Sequence, residues 1–272
     1  PRQVNAVLPV LKETILLDDS RFSTFQHEAL EAVQTLGVSA ALLGPALISV
    51  LTKPPNRNNF YLQAQAAKTL AKVDEANAHI GVKKLIELLP DRERIGWWMR
   101  TRAIQALVEL GSIAEPALPS LLGLMNDESP QVATLAAVSS IKLDPSRHLD
   151  PKRARMRSNK ARAFLRTSLT LTKPVKDLDR QQRTLIQQSV KALKGEDNKE
   201  IAAAFLPELI VLLENPECHV QLSIVYLLGS LGPSAMSAIP VLKRLVIEGG
   251  YISDDAERAI HRITAEPTNE IE

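Results

Sequence analysis

Between Lys152 and Lys176 the sequence carries nine lysines and arginines and no acidic residue. The whole chain has a formal net charge of +2, so setting these nine aside leaves −7 for everything else. On a helix, Arg155, Asn159, Arg162 and Arg166 fall at i, i+4, i+7 and i+11 along one stripe, while Ala154, Ala161, Phe164 and Leu165 face inward. Guanidinium groups pair bidentately with carboxylates and with phosphates. The stripe therefore reads as a solvated or self-paired face, as an electrostatic anchor for an acidic protein partner, or as a nucleic-acid contact. Extended nucleic-acid binding needs a broad basic surface, which the acidity of the remaining chain opposes.

Trp97 and Trp98 are the second chemical feature, since the chain has two tryptophans and both stand here. With Ala103 at the centre of a buried helix face, 100° per residue puts Trp98 on the opposite side with Arg102, Gln105 and Glu109. Trp97 falls at the edge near Ile104 and Val108. An exposed tryptophan is an interface anchor. The competing reading packs Trp98 on the long loop of residues 57–61.

Other chemistries lack their residues. His27, His79, His148, His219 and His261 are scattered, with no HExxH and no i, i+4 pair, so no metal site is expected. The single Cys218 excludes an internal disulfide framework and a cysteine-rich zinc site. The 11 glycines form neither GxGxxG nor GxxxxGK, and no GxSxG elbow occurs, so no nucleotide, cofactor or nucleophilic machinery is expected.

The elements that would position these residues are helices in a repeating grammar. Ile95 to Met125 reads as a helix, a turn at Gly111, and a second helix marked by Pro116 and Pro119. Ala29-x-x-Ala32-Val33, Ala66-x-x-Thr69-Leu70 and Ala103-x-x-Ala106-Leu107 recur at steps of 37 residues. Leu8-Pro9-Val10-Leu11 and Gly44-Pro45-Ala46-Leu47 stand 36 apart, and Leu206-Pro207-Glu208-Leu209 and Ile239-Pro240-Val241-Leu242 stand 33 apart. A period in the thirties with two helices per unit is α-solenoid spacing. Aromatics at 4 % within 45 % hydrophobic residues suit close-packed helices and argue against a β-sandwich.

The expected fold is all-α, a right-handed α-solenoid of about seven helix pairs spanning 1–272 with one continuous core. First helices are expected at 3–17, 41–52, 78–89, 115–125, 152–171, 201–214 and 236–248. Second helices are expected at 23–36, 60–73, 96–110, 130–143, 179–194, 217–230 and 253–264. The fifth pair, within 144–194, is irregular and carries the basic segment, and 265–272 reads as a frayed acidic tail.

Met99-Arg100-x-x-Ala103-x-x-Ala106-Leu107, Leu110-Gly111, Pro116-Ala117-Leu118-Pro119-x-Leu121-Leu122, Asp127-x-x-Pro130-x-Val132, and Leu228-Gly229 with Ala238-Ile239-Pro240-x-Leu242 together resemble HEAT repeats. The likeness is to the short HEAT-like type of phycobilisome lyases, whose chemistry no motif here supports. The resemblance implies that second helices line a concave surface. It also implies that an Arg near the start of the second helix bonds to a neighbouring repeat, at positions held here by Gln26, Gln63, Arg100 and Gln221. A resemblance to HEAT-like DNA glycosylases would further require a carboxylate converging on Trp97-Trp98.

The expected function is a non-enzymatic scaffold or adaptor that binds a protein or peptide, acidic in one version, along the concave groove. Gln63, Trp98, Arg100, Arg102 and Gln105 are the groove candidates, with Arg155, Arg162 and Arg166 as the basic patch. The alternative is a nucleic-acid-binding module using 152–176. No run of about 18 apolar residues is evident, so no membrane span is expected. No signal peptide is visible at Pro1, and the missing initiator Met is expected of a trimmed chain or of the repeat domain of a larger protein; the expected location is cytoplasmic.

Overall fold

The computed structural model describes residues 2–17, 23–54, 59–90, 96–143, 151–170, 177–215 and 218–265, without the side chains of 2–5, 151–158 and 196. The fold is an all-α solenoid of antiparallel helix pairs, divided into two compact units, residues 1–160 and 161–272.

In the first unit the pairs are α1 (Arg2–Leu16) with α2 (Ser23–Leu36), α3 (Gly44–Thr52) with α4 (Phe60–Val73), α5 (Ala78–Glu87) with α6 (Trp97–Glu109), and α7 (Leu118–Leu124) with α8 (Pro130–Lys142). The second helices pack side by side in the order α2, α4, α6, α8. Alanines make this possible. Ala29, Ala66, Ala67, Ala103 and Ala106 are buried at the contacts, beside the fully buried Val33, Leu70 and Leu107. Each helix is short and marginal alone, so its stability comes from burying this stripe against its neighbours.

Left-handed glycines turn the chain at two joints between pairs, after α2 and after α6, while Asp74 ends α4 without one. Gly37 and Gly111 have φ of +59° and +58°, which L side chains adopt only at a cost, so each second helix ends there. A 3₁₀ turn then carries the chain into the next first helix, over Gly37–Leu43 and Gly111–Ala117. This shortens two expected helices: α3 starts at Gly44 rather than 41, and α7 at Leu118 rather than 115. Pro116 lies in the 3₁₀ turn, and Pro119 takes the first-turn position of α7.

The second unit contains the C-terminal part of α9 (Pro151–Leu169), α10 (Arg180–Leu193), α11 (Lys199–Ala203), α12 (Leu206–Leu213), α13 (Gln221–Leu231), α14 (Ile239–Glu248) and α15 (Ser253–Thr264). The first helix expected at 201–214 is broken into α11 and α12. Pro207 has no N–H for the residue four back and its ring crowds that carbonyl, so the helix restarts with Pro in its first turn. Leu228-Gly229 does not close a helix. Gly229 lies inside α13, where an added Cβ would come 3.3 Å from Ala259 of α15, and the closing glycine is Gly232 at φ +57°. Asp179 caps α10 in a reciprocal box with Gln182. Residues 144–150, 171–176 and 266–272, which include part of the irregular pair and the acidic tail, lie outside the described residues.

Two helical stretches, Ser23–Thr52 and Gln221–Glu248, are long and apolar enough by composition to cross a membrane. Each is interrupted by a glycine of positive φ, Gly37 or Gly232, and resolves into two α-helices joined by a 3₁₀ turn. Neither is one uninterrupted α-helix of spanning length.

Candidate functional site

The second helices of the first unit present one face to the core and the opposite face outward. The 37-residue step aligns the outward positions: Tyr61, Gln65, Lys68 and Lys72 on α4 with Trp98, Arg102, Gln105 and Glu109 on α6. A shallow groove runs between these two helices, lined by Tyr61, Ala64, Gln65 and Lys68 on one side and Arg102, Gln105, Ala106 and Glu109 on the other.

Its polar groups are ordered. Lys68 Nζ donates to Glu109 Oε2 at 2.9 Å, and Lys72 Nζ stands 3.6 Å from the same oxygen. Gln65 Nε2 donates to Tyr61 Oη at 3.1 Å, and Arg102 lies 3.5 Å from Gln105 Oε1. The Tyr61 ring meets the His27 ring of α2 edge-on, with centroids 4.4 Å apart. Burial lowers the His27 pKa against the opposing pull of Glu31.

Trp98 stands at the head of this face, 48 % exposed, with Trp97 at 49 %. Its indole lies over Gly96, where an added Cβ would be 3.2 Å from two ring atoms. Arg102 and Gln105 follow as exposed residues one and two turns on. The arrangement offers an aromatic plate, a guanidinium and an amide in a row. These groups can take up apolar, acidic and backbone groups of an extended chain.

Gln63 and Arg100 do not belong to that face, which corrects the expectation for both. Gln63 is fully buried, and its Nε2 donates to Val50 O at 3.3 Å and Lys53 O at 2.6 Å. Gln26 Nε2 donates likewise to Ile15 O at 3.0 Å and Leu17 O at 2.7 Å, and Gln221 Nε2 to Leu213 O at 2.9 Å. Each amide satisfies carbonyls left orphaned at the end of the first helix of its own pair. Arg100, 6 % exposed, instead bridges to Asp127 in the turn between α7 and α8, one pair further on. The inter-repeat bond implied for this position is thus made by Arg100, while the three glutamines bond within their own pair.

The basic patch is only partly described. The side chain of Arg155 lies outside the described residues. Arg162 is half-buried and has an interaction partner. Arg166 Nε donates to Glu208 Oε1 of α12 at 2.5 Å, and its guanidinium sits 5.7 Å from the Phe205 ring centroid. Arg166 is therefore engaged by the protein's own carboxylate.

Among the described residues no group of three or more His, Cys, Asp or Glu could hold a metal ion. Cys218 is buried, which raises the pKa of its thiol. Glu109, the carboxylate that lines the α4–α6 groove, is held by Lys68 and Lys72.

The sequence reading placed Glu109 on the Trp98 face but missed Tyr61 and Lys68 as its neighbours across the groove. The 37-residue step that aligned the cores also aligns Tyr61 with Trp98 and Lys68 with Gln105, and could have found them. It also missed a cleft in the second unit lined by Leu178, Arg180, Arg183, Thr184, Gln187 and His219. Arg180 and Arg183 lie outside the dense basic run and are separated from it by Asp177 and Asp179.

Residues 44–142 match the family model described as HEAT repeats, so this stretch is a HEAT-repeat array. Such repeats are generally protein-interaction scaffolds. The chain is also similar to a solved structure titled as a crystal structure of an engineered protein, from the Northeast Structural Genomics Consortium. Identity is 18 %, with 96 % of this chain and 69 % of that chain covered, at a TM-score of 0.42. No curated protein matches the chain.

Proposed function

We propose that this protein is a non-enzymatic scaffold that binds a protein or peptide along the outward face of its second helices. The observation that carries this reading is the row of Trp98, Arg102 and Gln105 beside the α4–α6 groove. A large aromatic left half-exposed on a rigid helix costs apolar hydration that a partner would relieve. The helices that carry it are fixed by buried alanine contacts and by Gln63 and Arg100 beneath, so the face is preformed and a partner meets little ordering cost. Gln63 and Arg100 act here as supports.

Affinity capture with the wild-type chain and with Trp98→Ala/Arg102→Glu tests the reading. A protein retained by the wild type and lost from the variant supports it. Equal retention by both, with the variant folded, contradicts it. Nucleic-acid binding through 152–176 has weaker support, because Arg166 is already paired with Glu208.

A further inference from the structure

We propose that the outward face of α2, α4 and α6 takes an extended partner segment of opposite charge at its two ends, with basic residues seated on Glu28 and Glu31 of α2 and an acidic residue seated on Arg102 of α6. This gives the scaffold reading a partner chemistry and an orientation, and it rests on that reading for the face itself.

The 37-residue step that sets Gln65 and Lys68 of α4 level with Arg102 and Gln105 of α6 also sets Glu28 and Glu31 of α2 level with them. Glu28, Glu31, Arg102 and Gln105 are exposed. The three helices belong to one compact unit, α2 packing on α4 and α4 on α6. Across the α2–α4 seam the His27 ring meets Tyr61, and Gln34 Nε2 donates to Thr69 Oγ1 at 2.8 Å. The charges change sign along this face. The outward stripe of α2 is Thr24, Glu28, Glu31 and Thr35, with two carboxylates and no cation. The stripe of α4 adds Lys68 and Lys72, and that of α6 adds Arg102 and Glu109. Lys68 and Lys72 both hold Glu109. Among the described residues the ion pairs of the face therefore join α4 to α6 and leave Glu28, Glu31 and Arg102 outside them.

This order of charge selects the occupant. A purely acidic segment sets like charges against Glu28 and Glu31, and a purely basic one sets them against Arg102 and the lysines. A segment that changes sign along its length is matched at both ends. A phosphate on every nucleotide meets the same two carboxylates, which disfavours nucleic acid. The length follows from helix packing. Adjacent helices lie about 8–10 Å apart, so α2 to α6 is about 16–20 Å, which roughly five or six residues of extended chain span at about 3.3 Å each. Between the two ends, Gln65 spends its amide nitrogen on Tyr61 Oη at 3.1 Å and keeps a carbonyl oxygen to accept a backbone N–H. Trp98 stands one turn before Arg102 and offers its half-exposed ring to an apolar side chain near the acidic end.

The experiment uses the full chain and three fluorescein-labelled peptides, followed by anisotropy at low salt. All three share the centre Ser-Leu-Gly-Ser. One carries two lysines before it and two glutamates after it, one has glutamate at all four charged places, and one has lysine at all four. The wild type should bind the two-signed peptide roughly tenfold more tightly than either single-signed one. Glu28→Lys/Glu31→Lys should reverse that order in favour of the all-glutamate peptide, and Arg102→Glu in favour of the all-lysine peptide. A gain of binding of this kind cannot come from misfolding.

A single-signed peptide bound as tightly as the two-signed one by the wild type, no binding of any of the three, or variants that weaken all three alike would overturn the proposal. Tighter binding of an oligothymidylate than of the two-signed peptide would overturn it in favour of nucleic acid. Trp98→Ala separates this failure from failure of the scaffold reading. If the sign preference is missing but Trp98→Ala still weakens a peptide or the captured partner, the face stands and only its charge order fails. If Trp98→Ala changes nothing either, both fail.

Discussion

The buried guanidinium of Arg100 on α6 donates to the carboxylate of Asp127, which stands in the turn of the following helix pair and also accepts from Ser129 N at 2.9 Å. This ion pair ties one repeat to the next beneath the Trp98 face. Removing one partner leaves the other charged and desolvated. Arg100→Ala or Asp127→Ala should each cost about 3–5 kcal/mol in urea unfolding. The double variant Arg100→Met/Asp127→Leu should cost clearly less than the two single changes together. Additive losses would mean that the two groups act independently.

Gln63 contributes by a different route. Its amide donates to Val50 O and Lys53 O at the end of α3, carbonyls that no helical N–H can reach. Gln63→Leu should cost about 1–3 kcal/mol through the acceptors it leaves buried. Gln63→Glu should cost more, because an ionised carboxylate can only accept. Urea midpoints of the two variants check the order.

Much of this architecture was legible in the sequence. The 37-residue step located the buried alanines and leucines, and Gly111 marked the left-handed turn at the place it occupies. The roles of Gln63 and Arg100 were harder to read, because a polar residue at the edge of an apolar stripe looks the same whether it meets water or a carbonyl. For Gln63 the end of the preceding α3 decides it, and for Arg100 the carboxylate of Asp127 in the turn of the following pair. The break between α11 and α12 was hidden for a related reason: Pro207 can sit inside a first turn or end a helix, and both fit the same spacing. Trp98 could be placed on the outward face by angle alone, whereas its lean over Gly96 depends on a missing Cβ in the chain before it.

His27 makes the first unit sensitive to acid. Burial lowers its folded pKa below the unfolded value, so the unfolded chain binds the extra proton first as pH falls. Its neutral form is compatible with full stability above the ordinary histidine range, and stability is lost as pH drops through that range. His27→Phe keeps a ring against Tyr61 and removes the titration. The variant should lose less melting temperature than the wild type between pH 7.5 and 5.5. A parallel loss would show that His27 carries none of the acid sensitivity.

Two glycines predict opposite signs. An added Cβ on Gly81 of α5 would sit 2.3 Å from the Ala67 carbonyl oxygen of α4, a backbone atom that cannot move aside. Gly81→Ala should destabilise by about 1–3 kcal/mol. Gly123 of α7 is exposed with nothing within 4 Å of its would-be Cβ. Gly123→Ala should stabilise by about 0.5–1 kcal/mol through helix propensity. Thermal unfolding of both variants tests whether close helix approach is what limits α4 and α5.

The binding face itself is tested most directly by site-specific photo-crosslinking. A benzoylphenylalanine at position 105 sits on the proposed face of α6, and one at position 83 sits on an exposed position of the first helix α5. Incubated with the captured partner, the chain should give an adduct from position 105 and none from 83, and Trp98→Ala should abolish it. An adduct from position 83 alone, or one from 105 that survives Trp98→Ala, would contradict the account.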